Sequence, residues 1–187
     1  MRGLTVSTLL FVALVAPGVC LRAQTSFGIH PHSDLEASYL VNFFKFVQWP
    51  KPSDTATICF LRPSAVLDRL QSAIAHNERW VRLSGRQLTV RLLYDPSDNA
   101  GCQILYLDSH TASDLWQKFT VPTGILTVSD QPGFAHNGGM IEFIWSGSDT
   151  YQLAIRPAAV DKAGLTVSGA LGALADRIDD ERSRAHY

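Results

Sequence analysis

Side chains able to do chemistry stand in four places along this chain, and in none does their spacing make a catalytic centre. Asp108, Ser109 and His110 follow an apolar run, at the kind of strand end where α/β folds hold ligands. Three consecutive residues cannot alone place a nucleophile, a base and an orienting acid, so loop capping suits them better. His30-Pro31-His32 offers two imidazoles to a transition metal without a third ligand nearby, and reads as a solvated tail. Ser129, Asp130, Phe134 and His136 surround a Pro-Gly turn, where Asp130 is either a turn former or the polar anchor of a small-ligand cleft. Cys59 and Cys102 lack both a Cys-x-x-Cys partner and an electropositive setting, which disfavours a nucleophilic thiol.

The motifs that would make an enzyme of such residues are missing. There is no Gly-x-Ser-x-Gly elbow, no Gly-x-Gly-x-x-Gly after the first strand, no phosphate-binding Gly-Lys-Ser/Thr and no His-Glu-x-x-His. The expectation is a non-enzymatic protein without a metal or cofactor. A hydrolase using His110 or His136 is the weakest alternative.

The elements that must position these residues alternate between helix and strand. A first helix, which Ser33 or Asp34 can cap, ends by Trp49-Pro50 because proline disfavours helical geometry before it. Strands follow at Thr55 to Leu61, Gln87 to Tyr94, Cys102 to Leu107 and Gly124 to Asp130. Met140 to Trp145 and Tyr151 to Ile155 form a hairpin. Helices are expected from Ala65 to Ile74 behind a Ser64 cap, across Ala112 to Phe119, from Pro157 to Gly164, and through Leu171, Leu174, Ala175 and Ile178. This order predicts an α/β fold: a single three-layer domain with a mixed, partly parallel sheet flanked by helices.

The amino terminus predicts the compartment. Arg2 opens a basic start, Leu4 to Val19 is mostly apolar, and Pro17-Gly18 breaks it, the pattern of a secretory signal peptide over residues 1–23. Residues 24–187 are then the exported domain. Cleavage after Gly18 remains an alternative, and Pro17-Gly18-Val19 before Cys20 is a poor lipoprotein signal. Losing residues 1–23 removes Arg2 and Arg22, leaving 14 basic against 17 acidic side chains. No Lys/Arg patch exists to attract nucleic acid or anionic lipid, and no second apolar span follows. In an oxidising compartment Cys59 and Cys102 form an even pair on two predicted strands, which favours a structural or redox-responsive disulfide over two reduced core thiols.

The first helix is the most unusual segment. Ser38, Asn42, Lys45 and Gln48 make one narrow polar stripe, while Tyr39, Phe43, Phe44, Phe46 and Trp49 spread over the remaining surface. Such a helix is either wrapped by its own domain or buried against another chain, with those five aromatics as interface anchors.

These segments resemble the YfiR/HmsC family. The resemblance is carried by Tyr39-Leu-Val-Asn-Phe-Phe-Lys-Phe-Val-Gln-Trp-Pro50, the Cys59 strand, Cys102-Gln-Ile-Leu-Tyr-Leu107, Gly124-Ile-Leu-Thr-Val-Ser-Asp130, Gly133-Phe-Ala135, Gly138-Gly-Met-Ile141 and Ala158-Ala-Val-Asp-Lys-Ala-Gly-Leu165. It implies a periplasmic, dimeric α/β regulator that restrains a membrane-bound diguanylate cyclase by binding its periplasmic sensor region, lowering cyclic-di-GMP and biofilm formation. It also implies a Cys59–Cys102 disulfide joining two early strands. The second, later disulfide of some members has no counterpart, because no Cys follows Cys102. A periplasmic small-ligand receptor serving a sensor kinase or transporter is the alternative function.

Overall fold

The computed structural model describes residues 31–51, 53–83, 85–109, 120, 122–147 and 150–178. The expected signal peptide, His30, His110 and the helix expected over Ala112 to Phe119 lie outside them. In chain order the elements are α1 (Pro31–Phe46), β1 (Val47–Gln48), β2 (Thr55–Phe60), α2 (Ala65–Ala75), a 3-10 turn (Arg79–Val81), β3 (Gln87–Leu92), β4 (Ile104–Leu107) and β5 (Leu126–Ser129). Then come β6 (Ile141–Trp145), β7 (Tyr151–Ile155), α3 (Pro157–Lys162), β8 (Thr166–Val167), α4 (Gly169–Ala173) and β9 (Ala175–Arg177).

Seven strands form one mixed sheet in the order β3-β2-β4-β5-β6-β7-β9. All neighbours run parallel except β6 and β7, the expected hairpin. Alternate side chains of a strand serve opposite faces of the sheet. Ile58, Ile104, Tyr106, Leu126, Val128, Ile141 and Phe143 join the large core beneath α1 and α2. Cys59, Leu105, Leu107 and Phe134 join a smaller cluster on the other face. The result is the expected single three-layer α/β domain.

Local chemistry explains most boundaries. Ser64 caps α2 by accepting the Leu67 N–H at 3.2 Å. Pro157 opens α3, and Gly164 follows it at φ +72°, a conformation open to glycine without strain. α1 begins at Pro31, two residues before the expected cap, so Asp34 lies in the first turn near the positive end of the helix dipole. It ends at Phe46 because Val47 and Gln48 leave the helix to pair with Val167 and Thr166 of β8.

The helix expected through Leu171 and Ile178 is half right. α4 stops at Ala173, and Ala175–Arg177 becomes β9 against the open edge of β7. The Ile178 N–H donates to Ile155 O at 2.8 Å, so an unpaired ladder overrode local helical periodicity.

The wide apolar face of α1 is answered by its own domain. Phe43 is 1% exposed and Phe44 is buried, which corrects their assignment as surface anchors. The Phe43 ring stacks on Phe143 at 6.0 Å, while Phe44 stacks on Trp49 at 5.1 Å under the Arg86 guanidinium. α1 meets the sheet on one side, and α2 and the 3-10 turn on others, so three directions need apolar contact rather than one. Tyr39, Phe46 and Trp49 are half-buried along the rim of this packing.

Candidate functional site

Strand order fixes where a site can form. The chain builds β3 on one side of β2 and then returns to place β4 on the other, so the carboxyl ends of β2 and β4 diverge at a topological switch point. Open α/β sheets hold ligands in that crevice. Here a cleft of about 470 Å³ opens, lined by His32, Ser33 and Glu36 of α1, Arg62 to Val66 after β2, and Tyr106, Asp108, Ser109 and Asp130. Its volume lies in the usual range for small-molecule sites.

Glu36 anchors the floor. It is 4% exposed, and its Oε2 accepts the Tyr106 hydroxyl proton at 2.6 Å while Oε1 accepts that of Tyr151. His32 Nδ1 is 3.2 Å from the Tyr151 hydroxyl, and the His32 ring lies 3.9 Å from that of Trp145. Burial pushes the Glu36 carboxyl above the ordinary carboxylate range, outweighing the two phenol donors that favour its charge. Burial and the Glu36 carboxylate push both phenols up as well, so they remain donors at any physiological pH. Burial likewise raises Asp130, against a hydrogen bond from Ser109. The buried Asp130 Oδ1 has no hydrogen-bond donor among the described residues.

The four residues expected around a ligand do not meet. Asp130 lines the cleft. Ser129, one residue earlier, faces the opposite side of the sheet, fully buried, with its Oγ accepting the Gln131 N–H at 2.9 Å. Phe134 is buried in the second cluster, and His136 is exposed on the turn. Alternation along β5 separates neighbours that looked adjacent in sequence. Glu142 shapes that turn from β6, accepting the Gly133 and Ala135 N–H groups at 2.8 and 3.0 Å.

Glu36 escaped sequence reasoning, although a signal was present. It is a charged residue off the polar stripe of α1, where solvation cannot be its role. Tyr106 and Tyr151 read only as apolar strand positions. Asp108 and Ser109 were noted at a strand end, and both line the cleft.

Beneath the switch point Cys59 and Cys102 are joined by a disulfide with a Cα–Cα distance of 5.8 Å. Both belong to the second cluster, on the face away from α1. The bond ties β2 to the approach of β4, the two strands whose ends form the crevice. A family model described as YfiR/HmsC-like matches residues 33–176, the whole sheet up to β9. The chain belongs to the YfiR/HmsC-like family. Comparison with curated proteins finds no match. The family match spans the disulfide, nearly all of α1 and every cleft residue except His32. No helix among the described residues is long and apolar enough to cross a membrane.

Proposed function

We propose that this protein is an exported periplasmic regulator that binds the periplasmic sensor region of an inner-membrane signalling protein, a diguanylate cyclase by preference, and restrains it. The single observation that carries this reading is the YfiR/HmsC-like match over residues 33–176. Regulation by contact asks nothing catalytic of the cleft, where Glu36 accepts from two phenols and Ser109 donates to Asp130.

The contact surface follows from what the fold leaves exposed. Tyr39, Phe46 and Trp49 offer only their rims, whereas Ile144 and Trp145 at the end of β6 are over a third exposed. Trp145 is braced by His32 and by Tyr151 at 5.2 Å. A rigid, partly exposed Trp is the kind of residue that dominates interface energetics. Trp145 and Ile144 therefore lead the partner surface, with the rim of Tyr39 beside them, and self-association into a homodimer uses the same aromatic end.

The test pairs the purified mature protein with the periplasmic sensor region of a membrane-bound diguanylate cyclase from the same cell, with cyclic-di-GMP measured in cells lacking the regulator. Stable capture and a rise in cyclic-di-GMP are expected. No capture and unchanged cyclic-di-GMP would refute the reading. A second reading, reception of a small ligand, is favoured by the cleft at the switch point.

A further inference from the structure

We propose that the outer edge of β3 takes up an extended, acidic segment of a partner protein as an added strand. β3 stands at one end of the seven-strand order, and its six residues make it a longer edge than the three-residue β9 at the other. In the parallel ladder with β2, the Gln87 N–H donates to Asp54 O and the Leu93 N–H to Phe60 O. Odd positions of β3 therefore face β2, and the N–H and C=O groups of Leu88, Val90 and Leu92 point outward. Among the described residues nothing pairs with them. Such an edge is a template for another strand unless a charge, a proline or a bulge guards it. Arg91 is the one charged residue in β3, and its Nη1 turns aside to donate to Ala100 O at 2.6 Å.

The two ends of this edge select the occupant. A hollow of about 300 Å³ lies at the start of β3, among Ile74, Val81, Arg82 and Arg86. Another of about 390 Å³ lies at its end, among Arg62, Pro63, Tyr94 and Pro96. Each is lined mainly by apolar and arginine side chains, and neither has an acid in its wall. Among the described residues Arg62, Arg82 and Arg86 enter no ion pair. Arg86 is held over the Phe44 ring at 5.0 Å while donating to Thr55 O at 2.8 Å. Val90 and Leu92 are only half-buried, and Tyr94 beyond them is 96% exposed. The segment that fits is an extended chain as long as β3, apolar at alternate positions to cover Val90 and Leu92, with an acid near each end for the arginines. Three strands separate β3 from β6, so this surface is distinct from the Trp145 end and does not rest on restraint of a cyclase.

The experiment is selection of a displayed library of random short peptides on the mature protein, with enriched sequences resynthesised and their affinity read by fluorescence anisotropy. Acid-flanked, alternating apolar sequences are expected to be enriched. Their binding should weaken in high salt and protect the Leu88, Val90 and Leu92 amides from hydrogen exchange. Val90→Pro removes one outward donor, a change that an edge strand tolerates where its N–H faces solvent, and should weaken binding about tenfold or more. Arg62→Glu with Arg82→Glu, both outside β3, should do the same without touching the ladder. Arg177→Glu, on the opposite edge strand, should leave the affinity unchanged. Circular dichroism checks each variant, and if Val90→Pro fails to fold, the arginine pair decides. No enrichment, enrichment of basic or proline-rich peptides, protection elsewhere, or full affinity in the folded variants would overturn the proposal. So would a dimeric parent that Val90→Pro makes monomeric, because the edge would then belong to a second copy. Each of these results leaves capture of the sensor region to be judged by its own assay.

Discussion

Tyr106 donates its hydroxyl proton to Glu36 across 2.6 Å, joining the middle of the sheet to the first helix where both groups are out of water. The pair sets the floor of the cleft and holds α1 in register above β4. A carboxylate so placed makes stability depend on pH in a sense opposite to most acids.

Glu36 has a folded pKa above its unfolded value of 4.5. Below pH 4.5 it is protonated in both states and costs nothing. As pH rises through the folded value the folded state must bury a charge, so its contribution to stability falls. Glu36→Gln should therefore gain stability relative to the parent between pH 4.5 and neutrality, read from urea midpoints at a series of pH values. Glu78 works in the other direction and lower. Held down to about 2 by Arg69 and Trp80, it contributes above pH 4.5 and loses that contribution as pH falls towards 2.

Gly139 lies against the face of Phe134, and a Cβ there would overlap the ring. Gly139→Ala must displace a buried aromatic that seals the second cluster. A loss of about 1–3 kcal/mol is expected, the usual cost of overpacking, measured by denaturant unfolding. A neutral result would mean that Phe134 moves freely.

Cys59→Ser with Cys102→Ser should destabilise the domain by roughly 2–4 kcal/mol, and reductant should lower the melting temperature of the parent but not of the variant. Mass spectrometry of envelope material, with and without reductant, would detect the bond. Free thiols at both positions would contradict the structure.

Phe43→Ala should behave as a core truncation, costing about 3–5 kcal/mol by thermal or chemical unfolding. Trp145→Ala, at a partly exposed edge, should change stability far less while weakening partner capture. The two measurements separate packing from recognition.

Much of the fold was legible because it is local. Short apolar runs, with alternation at Gln87 to Tyr94, marked the strands from β2 to β7, Ser64 marked the start of α2, and Pro157 with Gly164 bracketed α3. β9 was not legible, since its partner β7 offers an open edge that no local pattern of Ala175, Asp176 and Arg177 announces. The site was legible only in fragments. Asp108, Ser109 and Asp130 advertise themselves at strand ends, but Glu36, Tyr106 and Tyr151 come together from positions 36, 106 and 151 only when the sheet closes over α1. For the same reason the breadth of the α1 apolar face suggested a partner chain, when Phe143, α2 and the 3-10 turn supply it from within.

The most direct test of regulation by contact is capture of the cognate periplasmic sensor region by the mature protein, compared between the parent and Trp145→Ala. The account predicts saturable binding by the parent and a clear loss of affinity in a variant that remains fully folded. Equal capture by both would contradict the proposed surface, and no capture by the parent would contradict the proposed function.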